Sequence, residues 1–364
     1  MEKINLGIIC GGKSAEHEIS LRSGRSIVEA LDRNKYNIIL IIIDKNGRWF
    51  LNQEQQFLSG VENLEKLENP KIDSEIMLVK RNNLISTIDK KTNQNLNHLD
   101  VVFPILHGTF GEDGTVQGML KALDIPFVGV DILASAVGMD KDIAKRLWRD
   151  SGIAVADFIC VHRKNKDELK FQAVVERLGL PLFVKPANAG SSVGVHKVNT
   201  NIEFESAISD AFQYDKKILI EEAIEGREVE CAILGNENPM ASVVGEIIAQ
   251  AEFYSYEAKY IDADGAKLVI PALISKEEEH NIQEAAIKAF QIIGCEGLAR
   301  VDFFLKPDGT VVINEINTMP GFTSISMYPK LWEASGIPYG QLLDRLIELA
   351  IERHSRDSRL KTSF

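Results

Sequence analysis

The sequence predicts an α/β protein with more than one domain. The chain opens with an apolar run at residues 4–10, a glycine turn, a helix-like segment and a second apolar run at 36–44, which is the order strand, helix, strand. Near its other end, residues 297–317 form two apolar runs around an Asp-Gly turn, the pattern of a β-hairpin. A chain of 364 residues, 45% of them hydrophobic, is long enough for two or three domains with their own cores.

Composition excludes several classes of function. The formal net charge of -12 argues against a nucleic-acid partner, because a phosphate backbone requires a basic face. The four cysteines are far apart and lack the CxxC spacing, so we expect neither a disulfide framework nor a zinc site. No apolar run approaches the roughly 20 residues of a membrane span, and the first run is too short for a signal peptide. We therefore expect a cytoplasmic protein that acts on small ligands.

The first strand ends in glycines and is followed by acids. Residues 7–14 formally match the P-loop pattern G-x-x-x-x-G-K-S, but residues 8–10 look like buried strand, whereas a P-loop has its first glycine at the mouth of the loop. Glu16 and Glu18 follow at the carboxyl end of the strand, where open α/β sheets bind ligands. One of these acids could hold a substrate ammonium. The alternative is that these acids only stabilise the following helix, because its dipole favours negative charge at the N-terminus.

A second glycine-rich loop begins at His107, where another buried strand ends. The residues before that strand, 51–98, are polar and are interpreted as a surface excursion. Glycines at 108, 111 and 114 indicate close approach of the backbone to a ligand. A lone histidine is usually structural, but this one lies beside a glycine loop at a strand's carboxyl end, so it is also a candidate site residue.

A third loop, residues 189–194, is rich in glycine and serine and follows Lys185 at the end of a buried strand. Its backbone N–H groups could cover phosphates, although an ordinary hairpin loop remains the alternative. Farther along, a short connection with acids at 221, 222 and 228 could offer backbone groups to an adenine edge and a carboxylate to ribose. Residues 252–267 are long for a connection and are interpreted as a lid.

The predicted hairpin carries charged residues on one face. A tight turn at Asp308-Gly309 pairs Leu305 with Val312, Asp302 with Glu315, and Arg300 with Asn317. Opposed side chains have Cβ atoms roughly 4.5 to 5.5 Å apart, so Asp302 and Glu315 would repel each other unless a cation lay between them. Two carboxylates and the Asn317 amide oxygen are hard ligands that suit magnesium shared with water and phosphates. The alternative is a solvated acidic edge of the sheet.

Taken together, the motifs GGKSAEHEISLRSG, LHGTFGEDGTVQG, KPANAGSSVGV, EAKY, ARVDFFL and NEINTMPGFTSISMYP resemble the D-alanine:D-alanine ligases of the ATP-grasp superfamily. The resemblance runs from end to end and fits the longer branch of the family, which has an insertion where residues 51–98 fall. It implies a three-domain ATP-grasp architecture: an N-terminal Rossmann-like domain at 1–129, a central ATP-grasp subdomain at 130–220, and a C-terminal ATP-grasp subdomain at 221–364 with the lid loop 252–267. In that architecture the 185–194 loop, not a P-loop, binds the phosphates of ATP.

The resemblance also implies roles for individual residues. Glu16 matches the acid that receives the ammonium of the first D-alanine, and His107 lies in the motif that lines this substrate. Arg300 and the Gly321 N–H match the donors that stabilise the acyl phosphate and the tetrahedral intermediate. The second substrate's carboxylate site matches Ser326 and the Met327 backbone, and the group that closes the lid matches Ser191 and Tyr260 together with Glu16.

The ATP site implied by the resemblance comprises Lys141, Lys185, Ser191, Ser192, Glu221, Glu222, Ile224, Glu228 and Lys259. Two magnesium or manganese ions would be held by Asp302, Glu315 and Asn317. The acidic Glu222 and the non-identical Met327 depart from the family pattern, but at positions read mainly through the backbone.

The expected activity is ATP-dependent ligation of two D-alanines through an acyl phosphate, releasing ADP and phosphate, for peptidoglycan precursor synthesis in the cytoplasm of a bacterium. The resemblance suggests a homodimer, and neither a nucleic acid nor a membrane is expected as a partner. The alternatives are a D-alanine:D-lactate ligase, another ATP-grasp carboxylate-amine ligase, a P-loop nucleotide-binding protein, and a non-catalytic ligand-binding protein.

Overall fold

The structure is a computed structural model that describes residues 2–60, 74–82, 84–249, 266–323 and 325–361. In this part of the chain the strands form three sheets of seven, four and five strands. Within the described residues, none of the helices has both the length and the apolar surface that crossing a membrane requires.

The first sheet contains β1 (Ile4–Gly11), β2 (Tyr36–Ile43), β3 (Trp49–Asn52), β4 (Ser74–Arg81), β5 (Leu84–Asp89), β6 (Asn95–Leu99) and β7 (Val101–Pro104). Its strand order is β6-β5-β4-β3-β2-β1-β7, and β1 is parallel to both β2 and β7. The helices are α1 (His17–Ala30), α2 (Glu54–Gly60) and α3 (Thr115–Ala122). The strand-helix-strand opening is confirmed.

The described part of the polar segment 51–98 is not detached from the core, because its strands extend the sheet as antiparallel ribbons.

The amphipathic pattern of residues 131–152 predicts one long helix, but the structure has two short helices there. They are α4 (Ile132–Met139) and α5 (Lys141–Asp150), and the break lies at Asp140, which has φ -87° and ψ 95°. Its Oδ1 accepts a hydrogen bond from the Ile143 N–H at 3.2 Å. Asp140 thus caps the second helix, as aspartate commonly does, and so ends the first one.

The second sheet contains β8 (Phe158–His162), β9 (Leu182–Pro186), β10 (His196–Val198) and β11 (Lys217–Glu222), in the order β10-β9-β11-β8. All neighbouring strands are antiparallel. A 3₁₀ helix (Arg163–Glu168), α6 (Phe171–Leu178) and α7 (Asn201–Tyr214) accompany them. The predicted glycine-serine loop therefore connects the antiparallel pair β9 and β10, next to Lys185.

The third sheet contains β12 (Arg227–Gly235), β13 (Met240–Ala249), β14 (Ala266–Val269), β15 (Gly297–Leu305) and β16 (Val311–Asn317), in the order β14-β13-β12-β15-β16. Its helices are α8 (Lys276–Ile292), α9 (Met327–Ala334) and α10 (Tyr339–Asp357). The apolar stripe of residues 331–355 predicts a single terminal helix. The structure has two, because Gly336 adopts φ +90° and Pro338 precedes α10, and both residues interrupt a helix.

The hairpin of β15 and β16 has the predicted charged pairs but a different turn. Asp302 lies opposite Glu315 and Arg300 opposite Asn317, whereas Leu305 pairs with Val311 and not with Val312. The turn has three residues, with Gly309 at φ +82°, and the Lys306 N–H donates to the Thr310 carbonyl at 2.9 Å. One extra residue, Asn314, bulges between the two register blocks and restores the charged pairs.

The apolar face of the hairpin also differs from the prediction at one position. Val312 is opposite Phe304 and therefore lies on the face of Asp302, whereas the predicted pairing places it with Leu305 on the other face. Ile313 and Ile316 pack there instead.

The predicted domain boundaries stay a prediction. The three sheets occupy residues 4–104, 158–222 and 227–317, one in each predicted domain with a small overlap. The overlap is at Glu221 and Glu222, which end β11 in the second sheet although the predicted boundary lies before them.

Candidate active site

Glu16 lies where loops from two sheets meet. It precedes α1 at the carboxyl end of β1 and is buried. The Ser191 hydroxyl, in the loop between β9 and β10, donates a hydrogen bond to Glu16 Oε1. A β-carbon placed on Gly108 or Gly190 would lie 2.5 or 3.2 Å from Glu16 Oε2. The carboxylate therefore lies between two glycine loops that approach closely only because they lack side chains.

The P-loop interpretation is wrong for this chain. Gly7 is in the interior of β1, paired with strands on both sides, so it cannot open a phosphate loop. Lys13 Nζ lies 5.8 Å from the centre of the exposed Phe110 ring.

The loop between β9 and β10 contacts Lys141, one of the predicted phosphate lysines. Lys141 Nζ donates to the Ala189 carbonyl at 2.7 Å and lies 3.3 Å from Glu315 Oε2. Ser191 and Ser192 have φ values of +52° and +58°, a left-handed conformation that is uncommon for residues other than glycine. Strained backbone of this kind is concentrated at ligand-binding loops.

A buried cluster of two lysines and a glutamate lies behind this loop. Lys185 Nζ is 2.8 Å from Glu221 Oε2, and Lys145 Nζ is 3.3 Å from Glu221 Oε1. Burial lowers the pKa of Lys145 to about 8. Burial alone would raise the pKa of Glu221, but the two ammonium groups outweigh it and lower that pKa. Sequence reasoning missed Lys145, although its place one helical turn after Lys141 was a usable signal.

The predicted adenine and ribose residues lie at the junction of β11 and β12. The side chain of Glu222 accepts a hydrogen bond from the Asp157 N–H at 2.7 Å, so this acid and Glu221 both hold protein groups. Ile224 is half-buried in the connection, and Glu228 is exposed on β12 opposite Phe304. Their nucleotide contacts stay predictions.

The hairpin brings the predicted metal ligands and Arg300 together. The Nε and Nη2 groups of Arg300 donate to the two carboxylate oxygens of Asp302, each at 2.7 Å. Its Nε also lies 2.8 Å from Glu230 Oε2, and Asn317 Nδ2 donates to Asp302 Oδ2 at 3.0 Å. Burial alone would lower the pKa of Arg300, but the two carboxylates raise it, so the guanidinium stays charged.

The predicted magnesium ions fit these residues. Asp302, Glu315 and the amide of Asn317 offer hard oxygen donors, which is the ligand type that magnesium prefers. Two carboxylates opposed in register attract positive charge, and Arg300 and Lys141 already lie against them.

The sequence analysis also missed Glu112, which lies inside the second glycine motif. Its carboxyl oxygens accept hydrogen bonds from the Gly108 N–H at 2.6 Å and the Met319 N–H at 3.3 Å. Burial and the neighbouring carboxylate of Glu16 raise the pKa of Glu112 to about 8. Glu112 is half-buried, whereas His107 is buried, and burial lowers the pKa of the His107 imidazole to about 4. Sequence reasoning could have found the acid from its place between two loop glycines.

These two groups predict how stability changes with pH. The folded state binds the Glu112 proton more tightly than an unfolded chain, whose carboxyl has an ordinary pKa of 4.5, so this contribution stabilises the fold below pH 4.5 and is lost as pH rises through 8. His107 has the opposite effect, because the folded state binds its proton less tightly than the unfolded chain. Its contribution to stability therefore increases as the pH rises from about 4 to the ordinary pKa of 6.5. Above pH 6.5, of these two groups only Glu112 still changes the stability. The free energy of unfolding then falls with a slope that approaches about 1.4 kcal/mol per pH unit.

We therefore expect the stability advantage of the wild type over Glu112→Gln to shrink as pH rises from 6.5 to 8. Urea unfolding at several pH values, with a chelator present, measures it. A difference that stays constant across this range would show that the carboxyl has no raised pKa.

The predicted second-substrate residues lie at the start of α9. Ser326 directly precedes the helix, and its hydroxyl accepts a hydrogen bond from the Thr323 N–H at 3.0 Å. Gly321 lies against it, since a β-carbon there would be 2.9 Å from Ser326 Oγ. Met327 is buried at the first position of the helix. The N–H groups at a helix start suit a carboxylate, as predicted for this site. Lys259 and Tyr260 of the predicted lid lie outside the described residues.

Comparison with known proteins shows the family. The family model described as D-ala D-ala ligase N-terminus matches residues 5–130, and the one described as D-ala D-ala ligase C-terminus matches residues 147–348. The D-alanine--D-alanine ligase of Shouchella clausii is 54% identical over 100% of this chain and 99% of its own length.

Solved structures agree with this match. The D-alanine-D-alanine ligase of Coxiella burnetii has a TM-score of 0.87 and 40% identity, covering 99% of this chain and 97% of its own. The D-alanine--D-alanine ligase of Bacillus anthracis complexed with ATP has a TM-score of 0.72 and 28% identity, covering 97% and 99%. The expected ATP-grasp architecture is therefore confirmed, and the chain belongs to the D-alanine–D-alanine ligase family.

Proposed function

We propose that this chain joins two D-alanines in an ATP-dependent reaction that passes through an acyl phosphate and releases ADP and phosphate. The observation that carries the proposal is the meeting of three loops at one place. Glu16 is bound by Ser191 of the glycine-serine loop, and Glu112 connects Gly108, beside Glu16, to Met319 after the acidic hairpin. The proposed ammonium acceptor, the proposed phosphate loop and the proposed metal-binding face therefore lie close to one another.

In the first step, a carboxylate oxygen of the first D-alanine attacks the γ-phosphorus of ATP, and the bond to the β–γ bridging oxygen breaks, releasing ADP. Glu16 holds the ammonium of this substrate, while Lys141 and Lys185 bind the phosphates. Two magnesium or manganese ions, when bound by Asp302, Glu315 and Asn317, would supply positive charge for the phosphates. Charge spread over the transferring phosphoryl group makes such positioning and neutralisation the main source of catalysis.

In the second step, the neutral amine of the second D-alanine attacks the carbonyl carbon of the acyl phosphate. The tetrahedral intermediate carries an oxyanion, which Arg300 and the Gly321 N–H stabilise. It collapses to the amide as the carbon–oxygen bond to phosphate breaks, and the proton that the nitrogen loses leaves with the phosphate. Ser326 and the Met327 N–H hold the carboxylate of the second substrate. The acyl group is activated by phosphate, so no side chain need act as a nucleophile.

We also propose a cytoplasmic location. All four cysteines are free thiols, three of them buried, and burial raises the pKa of Cys10, Cys231 and Cys295. Free cysteines that form no disulfide fit a reducing compartment. A homodimer, and the absence of nucleic-acid and membrane partners, stay predictions.

Product analysis tests the proposed function. With ATP, magnesium and D-alanine, we expect one phosphate released per D-alanyl-D-alanine formed, and in competition with D-lactate we expect the dipeptide to predominate at neutral pH. ATP hydrolysis without dipeptide would refute the ligase. A predominance of depsipeptide would instead support the D-alanine:D-lactate alternative.

A matched pair of lysine variants tests where the phosphates bind. Lys185→Met removes a buried ammonium next to the glycine-serine loop, so we expect a raised KM for ATP and a lower kcat. Lys13→Met removes an exposed ammonium from the P-loop-like segment and should leave both constants near those of the wild type. The opposite pattern would contradict the phosphate site proposed here.

A further inference from the structure

We propose that His107 and Glu112 are positioning residues, which hold the backbone of Met319 and thereby fix the segment that presents the Gly321 N–H. This inference rests on the proposed function, because it uses the role of that N–H toward the oxyanion. It replaces the expectation that His107 lines the first substrate.

The carbonyl and the N–H of Met319 are both held by side chains of one loop, those of His107 and Glu112. The imidazole Nδ1 of His107 is 3.0 Å from the Met319 carbonyl, and the Met319 N–H donates to Glu112 Oε1 at 3.3 Å. The Met319 side chain is buried, and a β-carbon placed on Gly129 would lie 2.7 Å from its methyl carbon. The two hydrogen bonds fix the backbone of Met319, and its buried side chain lies against Gly129.

A second anchor lies three residues farther along. The Phe322 N–H donates to the Ser23 hydroxyl at 3.3 Å, and that hydroxyl is 3.1 Å from His107 Nε2. Because a carbonyl can only accept, Nδ1 carries the proton, and Nε2 accepts from Ser23. The fully buried ring of Phe322 packs against Phe103 at 5.8 Å between ring centres. Gly321 is thus held between two fixed residues.

The same contacts exclude direct recognition of substrate by His107. The imidazole is only 4% exposed, and both of its ring nitrogens are engaged by protein groups. A ring in this state can act on the reaction only through the segment that it holds.

Glu112 connects this segment to the ammonium site. Its second oxygen accepts from the Gly108 N–H at 2.6 Å, and Gly108 lies against the carboxylate of Glu16. One carboxyl group therefore sets the position of the proposed ammonium acceptor relative to the proposed oxyanion donor. Errors of about 1 Å in such positions can cost on the order of 100-fold in rate.

Two substitutions of His107 separate positioning from substrate contact. The amide nitrogen of asparagine can replace Nδ1, whereas that of glutamine replaces Nε2. We expect His107→Asn to keep kcat within about fivefold of the wild type, and His107→Gln to lower it by about 30-fold or more, with little change in KM for ATP or D-alanine. A kcat that is higher for glutamine than for asparagine, or a raised KM for D-alanine at unchanged kcat, would overturn the proposal.

Ser23→Ala tests the second anchor and decides the matter if the histidine variants do not fold, as thermal unfolding will show. It removes the acceptor of the Phe322 N–H without touching the Met319 contact, so we expect kcat to fall by about 3- to 10-fold, the effect of one neutral hydrogen bond, at unchanged KM. An unchanged kcat would overturn the proposal. If the wild type forms dipeptide and the variants have the same kcat as the wild type, only the positioning role is refuted. Wild-type enzyme that forms no dipeptide refutes the proposed function itself.

Discussion

Replacing Arg300 by alanine is expected to lower kcat by about 100- to 1,000-fold, the usual cost of losing one preorganised oxyanion donor. The guanidinium is half-buried and is held by Asp302 and Glu230, so it does not have to reorganise as negative charge develops. Because its proposed role is in the transition state, ATP affinity should change far less than kcat. Steady-state kinetics and calorimetric titration with a non-hydrolysable ATP analogue measure the two effects.

The control must separate catalysis from stability. Arg300→Ala leaves the buried carboxylate of Glu230 and the half-buried one of Asp302 without their partner, and loss of one partner of a buried ion pair can cost up to about 3 to 5 kcal/mol of stability. Arg300→Lys keeps the charge but loses the two parallel hydrogen bonds, so we expect an intermediate kcat in a folded protein. Arg227→Ala is the matched control, because Arg227 also forms two hydrogen bonds, at 2.7 Å each, to one carboxylate, that of Glu246. A collapse of ATP affinity at unchanged kcat would contradict the proposed role of Arg300.

The hairpin shows how much of the site the sequence determines. Alternation and the Asp-Gly turn predicted the pairs Asp302–Glu315 and Arg300–Asn317, and both are present. The predicted turn was wrong by one residue, and the bulge at Asn314 compensates for it. Sequence patterns specify a face and a turn signal, but a bulge depends on how the strand packs against its neighbours.

Charged residues whose partners are distant in the sequence were harder to predict. Lys145 and Glu112 look like ordinary surface residues of a helix and a loop, and their roles depend on partners far away in the sequence, Glu221 and Met319. Conversely, the sequence does signal the break at Asp140, since aspartate is a favoured helix N-cap, although the amphipathic pattern continues through it. Local signals predict where elements begin and end, whereas tertiary neighbours decide which charges are buried.

Replacing Glu315 by glutamine is expected to lower turnover by at least about 100-fold, because a metal ion at a transferring phosphoryl group supplies several kcal/mol of charge stabilisation. The substitution keeps the shape of the side chain but removes one negative charge from the proposed metal face. Lys141, 3.3 Å from Glu315, retains its hydrogen bond to the Ala189 carbonyl at 2.7 Å. The Glu315 side chain is 25% exposed, so we expect the fold to remain intact.

Glu315 is a cleaner test of the metal site than Asp302, because both carboxylate oxygens of Asp302 accept hydrogen bonds from Arg300 and its loss would disturb that residue too. Titration of activity with magnesium, and of binding with manganese followed by electron paramagnetic resonance, should show weaker metal binding in Glu315→Gln. Asp308→Asn is the matched control, since it removes a carboxylate from the exposed turn of the same hairpin, and it should leave both titrations unchanged. Normal metal binding and turnover in Glu315→Gln would show that this face of the hairpin does not hold the ions, whereas a loss confined to Glu315→Gln would place them there.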